Sequence, residues 1–344
     1  MDKEISKRRL SNIELLRIIC LIMVILSHYY CHSGFPEDSF ISFNKVMMQF
    51  LASGGKVAVD VFVIITGYFC VTQIFRWRKV LKFLLCTYFW SVVILIFAIC
   101  ILPYNVSSKS IIESLCPFTP LNWFARAYLL LYLFTPVINK IINKVSKRTL
   151  SVIIFILTFT FFVWPTMRNY SLGGYFYSFL MFVNMYFIGA VIRLYSNEIL
   201  ERRIKYLGIF STCFMAGSIL LFNFLGLSDP YYLKAAHSMY FEFSGASIFA
   251  LLVAIWIFTW FNKNCTLKYS YYINKIASTT FAVYLIHDNA LIKQWLWCDI
   301  IKGYVFYKTD FLVIHMIVVT CIIFIVCSVL ELFRIRYVEG KILK

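Results

Sequence analysis

Arg17 and His28 are two residues whose types could carry out group-transfer chemistry. A histidine titrates near neutral pH, so His28 could take a proton from a hydroxyl group or accept the transferred group itself. An arginine can bind phosphate groups through paired hydrogen bonds. Neither role is forced by residue type, because Arg17 could snorkel to a membrane surface and His28 could be a hydrogen-bonded histidine near lipid headgroups.

The spacing of these two residues places them on one face of an α-helix. Eleven residues at about 100° each turn a helix by roughly 1100°, which is about 20° past three full turns. The rise of about 1.5 Å per residue separates the two side chains by ~16 Å along the axis. Glu14 lies one turn before Arg17 and can form an ion pair with it.

The composition explains why a helix is expected around these residues. Of the 344 residues, 61% are hydrophobic and only 14% are charged, whereas a soluble domain has about 25% charged residues. Disorder is excluded because it requires low hydrophobicity. The net charge of +17 could indicate nucleic-acid binding, but the basic residues lie between apolar runs and not on one polar face. The chain is therefore predicted to be an all-α polytopic membrane protein that does not bind nucleic acid.

Ten apolar runs are long enough to cross a bilayer as helices, which takes about 20 residues. The predicted spans are 12–33, 57–75, 80–102, 122–139, 149–166, 175–194, 204–226, 241–261, 274–297 and 311–333. The connectors are short, so residues 1–344 are predicted to form a single transmembrane domain with no appended soluble domain. The first run is too long for a signal peptide and is predicted to be an uncleaved helix.

The basic residues predict the orientation of the spans. With the N-terminus inside, 23 of the 33 Lys and Arg residues fall on the inner side, 8 fall on the outer side, and Arg17 and Arg126 lie within spans. Such a bias in short loops predicts that both termini are cytoplasmic.

The cysteines and serines indicate what the protein lacks. The 11 cysteines are scattered with no Cys-x-x-Cys pair, which predicts neither a disulfide framework nor a metal site. No Gly-x-Ser-x-Gly motif is present, which argues against a hydrolase-type serine nucleophile.

Several short motifs resemble those of membrane acyltransferase family 3, the integral membrane O-acyltransferases that modify bacterial polysaccharides. The motifs match in their order along the chain and in their predicted depth within the membrane. The resemblance covers residues 10–333, and Thr66 stands where the family commonly has Ser. The motifs are Arg17-x10-His28, Val59-Asp60-Val61-Phe62 with Thr66-Gly67-Tyr68, Arg76-Trp77-Arg78-Lys79, Trp123-Phe124 with Tyr128, Tyr132 and Pro136, and Tyr284-Leu285-Ile286-His287.

The resemblance implies that cytosolic acetyl-CoA is the co-substrate and that a sugar hydroxyl accepts the acetyl group. Arg17 would bind the CoA phosphates, and Arg76, Arg78 and Lys79 would help it, although these three could simply anchor the helices. The ~16 Å between Arg17 and His28 is comparable with an extended phosphopantetheine arm. His28 would act as general base or as acyl carrier, and no metal is expected.

Further residues have candidate roles in the same reaction. Asp60 could orient His28 or bind the sugar, or it could pair with Lys56. Arg126 could polarise the carbonyl oxygen or bind a sugar acid, or it could snorkel. Three other residues are candidates for the substrate-binding site, namely Trp123, Glu242 and His287. Glu242 is flanked by aromatic residues, which also fits an interfacial belt, and His287 is expected to form a buried polar pair with Asp288.

The expected acceptor is a bacterial surface polysaccharide or its lipid-linked sugar precursor, and polysaccharide-assembly proteins are possible partners. The expected location is the bacterial cytoplasmic membrane, with the lipid bilayer around the helices. The alternative is a non-enzymatic transporter or flippase of lipid-linked sugars. A transporter has no need for a base set one pantetheine length from an arginine, and inverted repeats, which would favour one, are not evident.

Overall fold

A computed structural model describes residues 10–36, 38, 40–103, 105–116, 122–168, 174–233, 239–243 and 247–342. This part of the chain is built from helices and contains no β-strand. The helices are α1 Ser11–His32, α2 Phe43–Ala52, α3 Gly54–Cys70, α4 Trp77–Ile101, α5 Ser108–Leu115, α6 Trp123–Lys144, α7 Lys147–Thr158, α8 Trp164–Arg168, α9 Gly174–Tyr195, α10 Glu198–Leu225, α11 Tyr240–Phe243, α12 Ile248–Asn264, α13 Tyr271–Ala277, α14 Thr280–His287, α15 Leu312–Arg334 and α16 Gly340–Ile342.

Eight helical segments of the described chain are long and apolar enough to cross a membrane, so the prediction of an all-α polytopic membrane protein is confirmed. They are Ser11–His32, Phe43–Cys70, Trp77–Ile101, Trp123–Lys144, Lys147–Met167, Tyr177–Tyr195, Glu198–Leu225 and Leu312–Glu339. The predicted span 241–261 corresponds to α12, a shorter apolar helix that begins at Ile248. The Ser247 hydroxyl caps α12 by accepting a hydrogen bond from the backbone of Ala250.

The second span was predicted to start too late. The apolar segment begins at Phe43, fourteen residues before the predicted start at 57, because α2 and α3 follow each other with a break at Ser53. Lys45 interrupts the apolar pattern but is buried, and its ammonium donates to the carbonyl oxygens of Phe40 (2.8 Å) and Asp38 (3.4 Å). A satisfied lysine can therefore lie inside a segment that hydropathy alone excludes.

The ninth predicted span, 274–297, is not one helix. Its chain forms α13, then α14, then a π-helical segment Trp295–Ile301. The hydroxyls of Ser278, Thr279 and Thr280 each donate to a carbonyl three residues earlier, which gives the backbone an alternative to the α-helical ladder. α14 then ends at His287, where Asp288 takes the C-cap position. The break leaves non-helical backbone next to His287, and inside a bilayer such backbone is tolerated only beside protein or a polar cavity.

α3 lies at the centre of the bundle, where it packs against α1, α9 and α12. Two glycines permit its contact with α9. A Cβ at Gly67 would lie 2.2 Å from the Tyr186 carbonyl oxygen, and a Cβ at Gly189 would lie 2.3 Å from the Ile64 carbonyl oxygen. Small residues at both sides of a crossing let two membrane helices approach to backbone contact. This crossing fixes α3 beside α1, and these two helices carry the residues considered next.

Candidate active site

A central cavity of about 1510 Å³ runs along α1. Its lining includes Leu10 at one end of that helix and His32 at the other. These residues are 22 apart, or about 33 Å at 1.5 Å per residue, which is close to the thickness of a bilayer core. Arg17 and His28 both line the cavity, which places the two side chains toward the same space, as their spacing predicts.

His28 belongs to a hydrogen-bonded chain of two imidazole rings. Its Nδ1 lies 3.0 Å from Nε2 of His287, and Nδ1 of His287 lies 2.6 Å from the Val283 carbonyl oxygen. A carbonyl oxygen only accepts, so Nδ1 of His287 carries the proton, and Nε2 of the neutral ring accepts. The Nδ1 of His28 is then the donor, so in the neutral form of His28 it is Nε2 that can accept a proton.

Asp288 supplies the carboxylate nearest to these rings among the described contacts. Its Oδ1 lies 3.9 Å from Nδ1 of His28, 3.7 Å from Nε2 of His32 and 3.7 Å from Nζ of Lys293. Asn122 donates to the Asp288 carbonyl oxygen at 3.1 Å and so ties α6 to the break after α14. A positive charge that develops on His28 would therefore face a fixed carboxylate.

The same cluster is the place where a metal would bind if one did. The ligand atoms of His28, His32 and Asp288 lie within 4.8 Å of one another. The Lys293 ammonium beside the carboxylate opposes a cation there. That no metal takes part stays a prediction.

Among the described lining residues, three cationic side chains lie at the other end of the cavity. Arg17 donates to Glu14 at 3.3 Å, as its position one turn away predicts. Lys79 donates to Gln73 at 3.0 Å. The third cation is Arg193 of α9, which donates to the Tyr68 hydroxyl at 3.1 Å. We call the end of the cavity that Arg17, Lys79 and Arg193 line the Arg17 end, and the opposite end, at His28 and Asp288, the His28 end.

Arg193 was missed as a site residue because it ends an apolar run and was counted among the inner-side bases. Arg76 and Arg78, predicted with Lys79 as a phosphate-binding group, are exposed and are not among the described residues that line the cavity. Their role in binding stays a prediction.

Aromatic side chains form the middle of the cavity. Phe124 stacks on Tyr128 with ring centroids 5.8 Å apart and packs edge-on against Tyr284 at 5.6 Å. Tyr128 and Thr66 share a hydrogen bond between their hydroxyls at 3.2 Å. The cavity therefore has cations at both ends and an apolar stretch with a few hydroxyls between them.

The remaining predicted residues divide between the cavity and its surroundings. Trp123 lines the cavity, with Nζ of Lys56 5.8 Å from its ring centroid. Asp60 is buried in α3, and no hydrogen bond or ion pair of the described residues joins it to His28. Arg126 is half-buried and is absent from the described lining. Glu242 lies in α11, but its side chain is outside the described residues.

Two further lining residues had no signal that sequence alone could supply. Lys56 was considered only as a possible partner of Asp60, and Lys293 lies in the predicted ninth span with no motif around it. The break after α14 brings Lys293 to Asp288, and nothing in the local sequence indicates which helix that break faces.

Comparison with protein families gives a match over nearly the whole chain. The model of the acyltransferase domain of family 3 matches residues 10–332. Neither the curated proteins nor the solved structures contain a significant match to this chain. The family match covers both Arg17 and His28 and all eight long apolar helices except the end of the last. The chain belongs to acyltransferase family 3, and it is a multi-pass membrane acyltransferase.

Proposed function

We propose that this protein transfers an acetyl group from cytosolic acetyl-CoA to a sugar hydroxyl of a bacterial surface polysaccharide or its lipid-linked precursor, across the bacterial cytoplasmic membrane. The observation that supports this most is that one cavity contains both Arg17 and His28, about 16 Å apart along α1, with Nδ1 of His28 hydrogen-bonded to His287. The acetyl donor and the sugar acceptor follow from the family resemblance.

The donor would enter at the Arg17 end. Arg17, Lys79 and Arg193 offer three cationic side chains for the CoA phosphates. The pantetheine arm would then extend along the aromatic stretch at Phe124 and Tyr128, so that the thioester carbon reaches His28. The volume of about 1510 Å³ exceeds the roughly 300–1,000 Å³ of a site for one small ligand. Donor arm and acceptor could therefore occupy it together.

His28 would act as a general base in direct transfer. Its Nε2 takes the proton from the acceptor hydroxyl as the oxygen forms a bond to the thioester carbon. The carbon–sulfur bond breaks, and the CoA thiolate leaves with the proton that His28 returns. His287 keeps the reactive nitrogen free by accepting from Nδ1, and Asp288 faces the transient positive charge.

The test is complementation of a deletion strain with the wild type or with His28→Ala. We expect base-labile acetate on the surface polysaccharide to return with the wild type and to stay absent with the variant, because the variant lacks the imidazole that takes the proton of the acceptor hydroxyl. His315→Ala is the matched control, since His315 contacts Tyr29 and is not among the described lining residues.

Full acetylation with His28→Ala would refute the mechanism. Loss of the polysaccharide itself from the surface, with acetate per sugar unchanged, would indicate the transporter instead. Immunoblots of the tagged proteins must show equal amounts in the membrane.

A further inference from the structure

The charges of the central cavity fall into two sets, and acetyl-CoA accounts for only one of them. Each end has three cationic side chains and one carboxylate among its described lining residues. The Arg17 end has Glu14 as its carboxylate, and the His28 end has Asp288. The cations are Arg17, Lys79 and Arg193 at the first end and Lys45, Lys56 and Lys293 at the second. Charged groups inside a membrane are costly and tend to mark a binding site.

Two of the three lysines at the His28 end have partners in the protein. Lys45 donates to two backbone carbonyls, and Lys293 lies 3.7 Å from Asp288. Lys56 is half-buried, and within the described residues its ammonium meets no carboxylate oxygen within ion-pair distance and no hydrogen-bond acceptor. Its ammonium lies 5.8 Å from the ring centroid of Trp123. The carboxylate of Asp60, one turn further along α3, acts on it electrostatically but forms no hydrogen bond or ion pair with it among the described residues.

The packing of α3 on α1 fixes where Lys56 lies. A Cβ at Gly55 would lie 2.3 Å from Cβ of Ser27, so α3 touches α1 at the residue before His28. Lys56 directly follows Gly55, and it lines the same cavity as His28. The Lys56 ammonium and the indole of Trp123 that it faces therefore line the cavity at the His28 end.

We propose that Lys56 binds an anionic group of the acceptor, so that the acceptor is an acidic sugar whose ring packs on Trp123. This proposal rests on the proposed function, which places the acceptor at His28. The anion could be a carboxylate of the sugar, as in a uronic acid, or a phosphate that joins the sugar to a lipid. Either would supply the acceptor that the Lys56 ammonium lacks, while the indole face offers a surface for the sugar C–H groups.

The experiment measures binding to the full-length protein in nanodiscs, with saturating CoA present to occupy the Arg17 end. The carboxylate probe is tetragalacturonate, and its fully methyl-esterified form is the matched neutral sugar. The phosphate probe is glucose 1-phosphate, with glucose as its neutral match. Titration calorimetry gives the affinity ratio of each acidic probe to its neutral match.

We expect at least one acidic probe to bind about tenfold more tightly than its match. Lys56→Gln should reduce that ratio to about one, and Lys56→Arg should largely keep it, because the charge remains. Lys109→Gln is the control, since Lys109 is an exposed lysine of α5. The probe whose ratio depends on Lys56 identifies the anion as carboxylate or phosphate.

Equal affinities within both pairs, binding of no probe, or a ratio that survives Lys56→Gln would overturn the proposal. Acetyl transfer from acetyl-CoA is measured in parallel, so that failure of the anion site can be distinguished from failure of the proposed function. A ratio that depends on Lys56 in a protein without transferase activity would refute the function and keep the anion site. Active transferase with equal affinities would refute the anion site alone.

Discussion

At the scale of single residues, the hydrogen bond between His28 and His287 matters most, because it determines which nitrogen can react. A free imidazole exchanges its proton between two nitrogens, so only part of the population has Nε2 free. In this protein the Val283 carbonyl fixes the proton of His287, and His287 fixes the proton of His28. His287 was expected to form a buried polar pair with Asp288. Both residues are buried, but the described hydrogen bonds of the His287 ring go to His28 and to the Val283 carbonyl.

Replacing His287 should lower the turnover number without weakening donor binding. His287→Leu removes the acceptor for Nδ1 of His28, and we expect kcat to fall about 100-fold while KM for acetyl-CoA stays within about twofold. His287→Gln should recover part of kcat, because its amide oxygen can accept the same hydrogen bond. Steady-state kinetics on the purified protein measure both constants. Equal kcat values for His287→Leu and His287→Gln would show that His287 acts through packing and not through its hydrogen bond to His28.

Arg193 should act at the donor instead. Arg193→Gln and Arg17→Gln each remove one charge from the Arg17 end, so KM for acetyl-CoA should rise about tenfold with little change in kcat. Arg148→Gln is the matched control, because Arg148 is exposed at the start of α7 and is outside the described lining. An unchanged dependence on acetyl-CoA in both variants would reject a phosphate-binding role for these arginines.

At the scale of helices, the crossing of α3 and α9 positions both Tyr68 and the Arg193 that bonds to it. The crossing depends on a backbone-to-backbone approach at Gly67 and Gly189. Backbone atoms cannot rotate away as a side chain can, so even a methyl group must push the helices apart.

Gly189→Ala should therefore destabilise the protein by about 1–3 kcal/mol, the usual cost of overpacking. Gly217→Ala is the control, because a Cβ there would meet nothing within 4 Å, and alanine is the better helix former. Thermal unfolding in detergent, followed by circular dichroism or a thiol-reactive dye, compares the two variants with the wild type. If the thermal unfolding midpoint of Gly189→Ala equals that of Gly217→Ala, then α3 and α9 can move apart without loss of stability, and the prediction is wrong.

The helices also show how far the sequence predicts this fold. The 100° repeat places Arg17 and His28 on one face of α1 because both lie in one uninterrupted apolar helix. The meeting of His28 with His287 joins residues 259 positions apart, and no local pattern encodes it. It depends on where α14 starts and stops. A run of three hydroxyl residues lies where α13 ends and this helix starts, and Asp288 follows its last residue; hydropathy counts these residues only as interruptions of an apolar run.

At the scale of the whole molecule, the cavity should be reachable from outside the cell at its His28 end. Cys31 is exposed and lines that end, whereas Cys20 of the same helix is buried. A membrane-impermeant maleimide added to intact cells should therefore label Cys31 and leave Cys20 unlabelled, as read by mass spectrometry of the α1 peptides. Cys31→Ser provides the blank.

Labelling of Cys31 only after the membrane is broken would reverse the orientation predicted from the 23 inner-side bases. Protection of Cys31 by an acidic sugar, but not by CoA, would place the acceptor at this end.

The depth of the cavity, from Leu10 to His32 of α1, has an energetic consequence for a reaction whose donor and acceptor stand on opposite sides of the membrane. In the proposed transfer the acetyl group moves outward, formally as an acetyl cation. The proton of the acceptor hydroxyl, which the acetyl group replaces, moves inward to the CoA thiol. The two movements cancel, so one turnover carries no net charge through the bilayer. A potential of 100 mV changes the energy of a coupled charge by about 2.3 kcal/mol, but it should leave this equilibrium untouched. Acetyl transfer in proteoliposomes should therefore reach the same yield whether or not a potassium gradient with valinomycin polarises the membrane, and the thioester alone would supply the driving force.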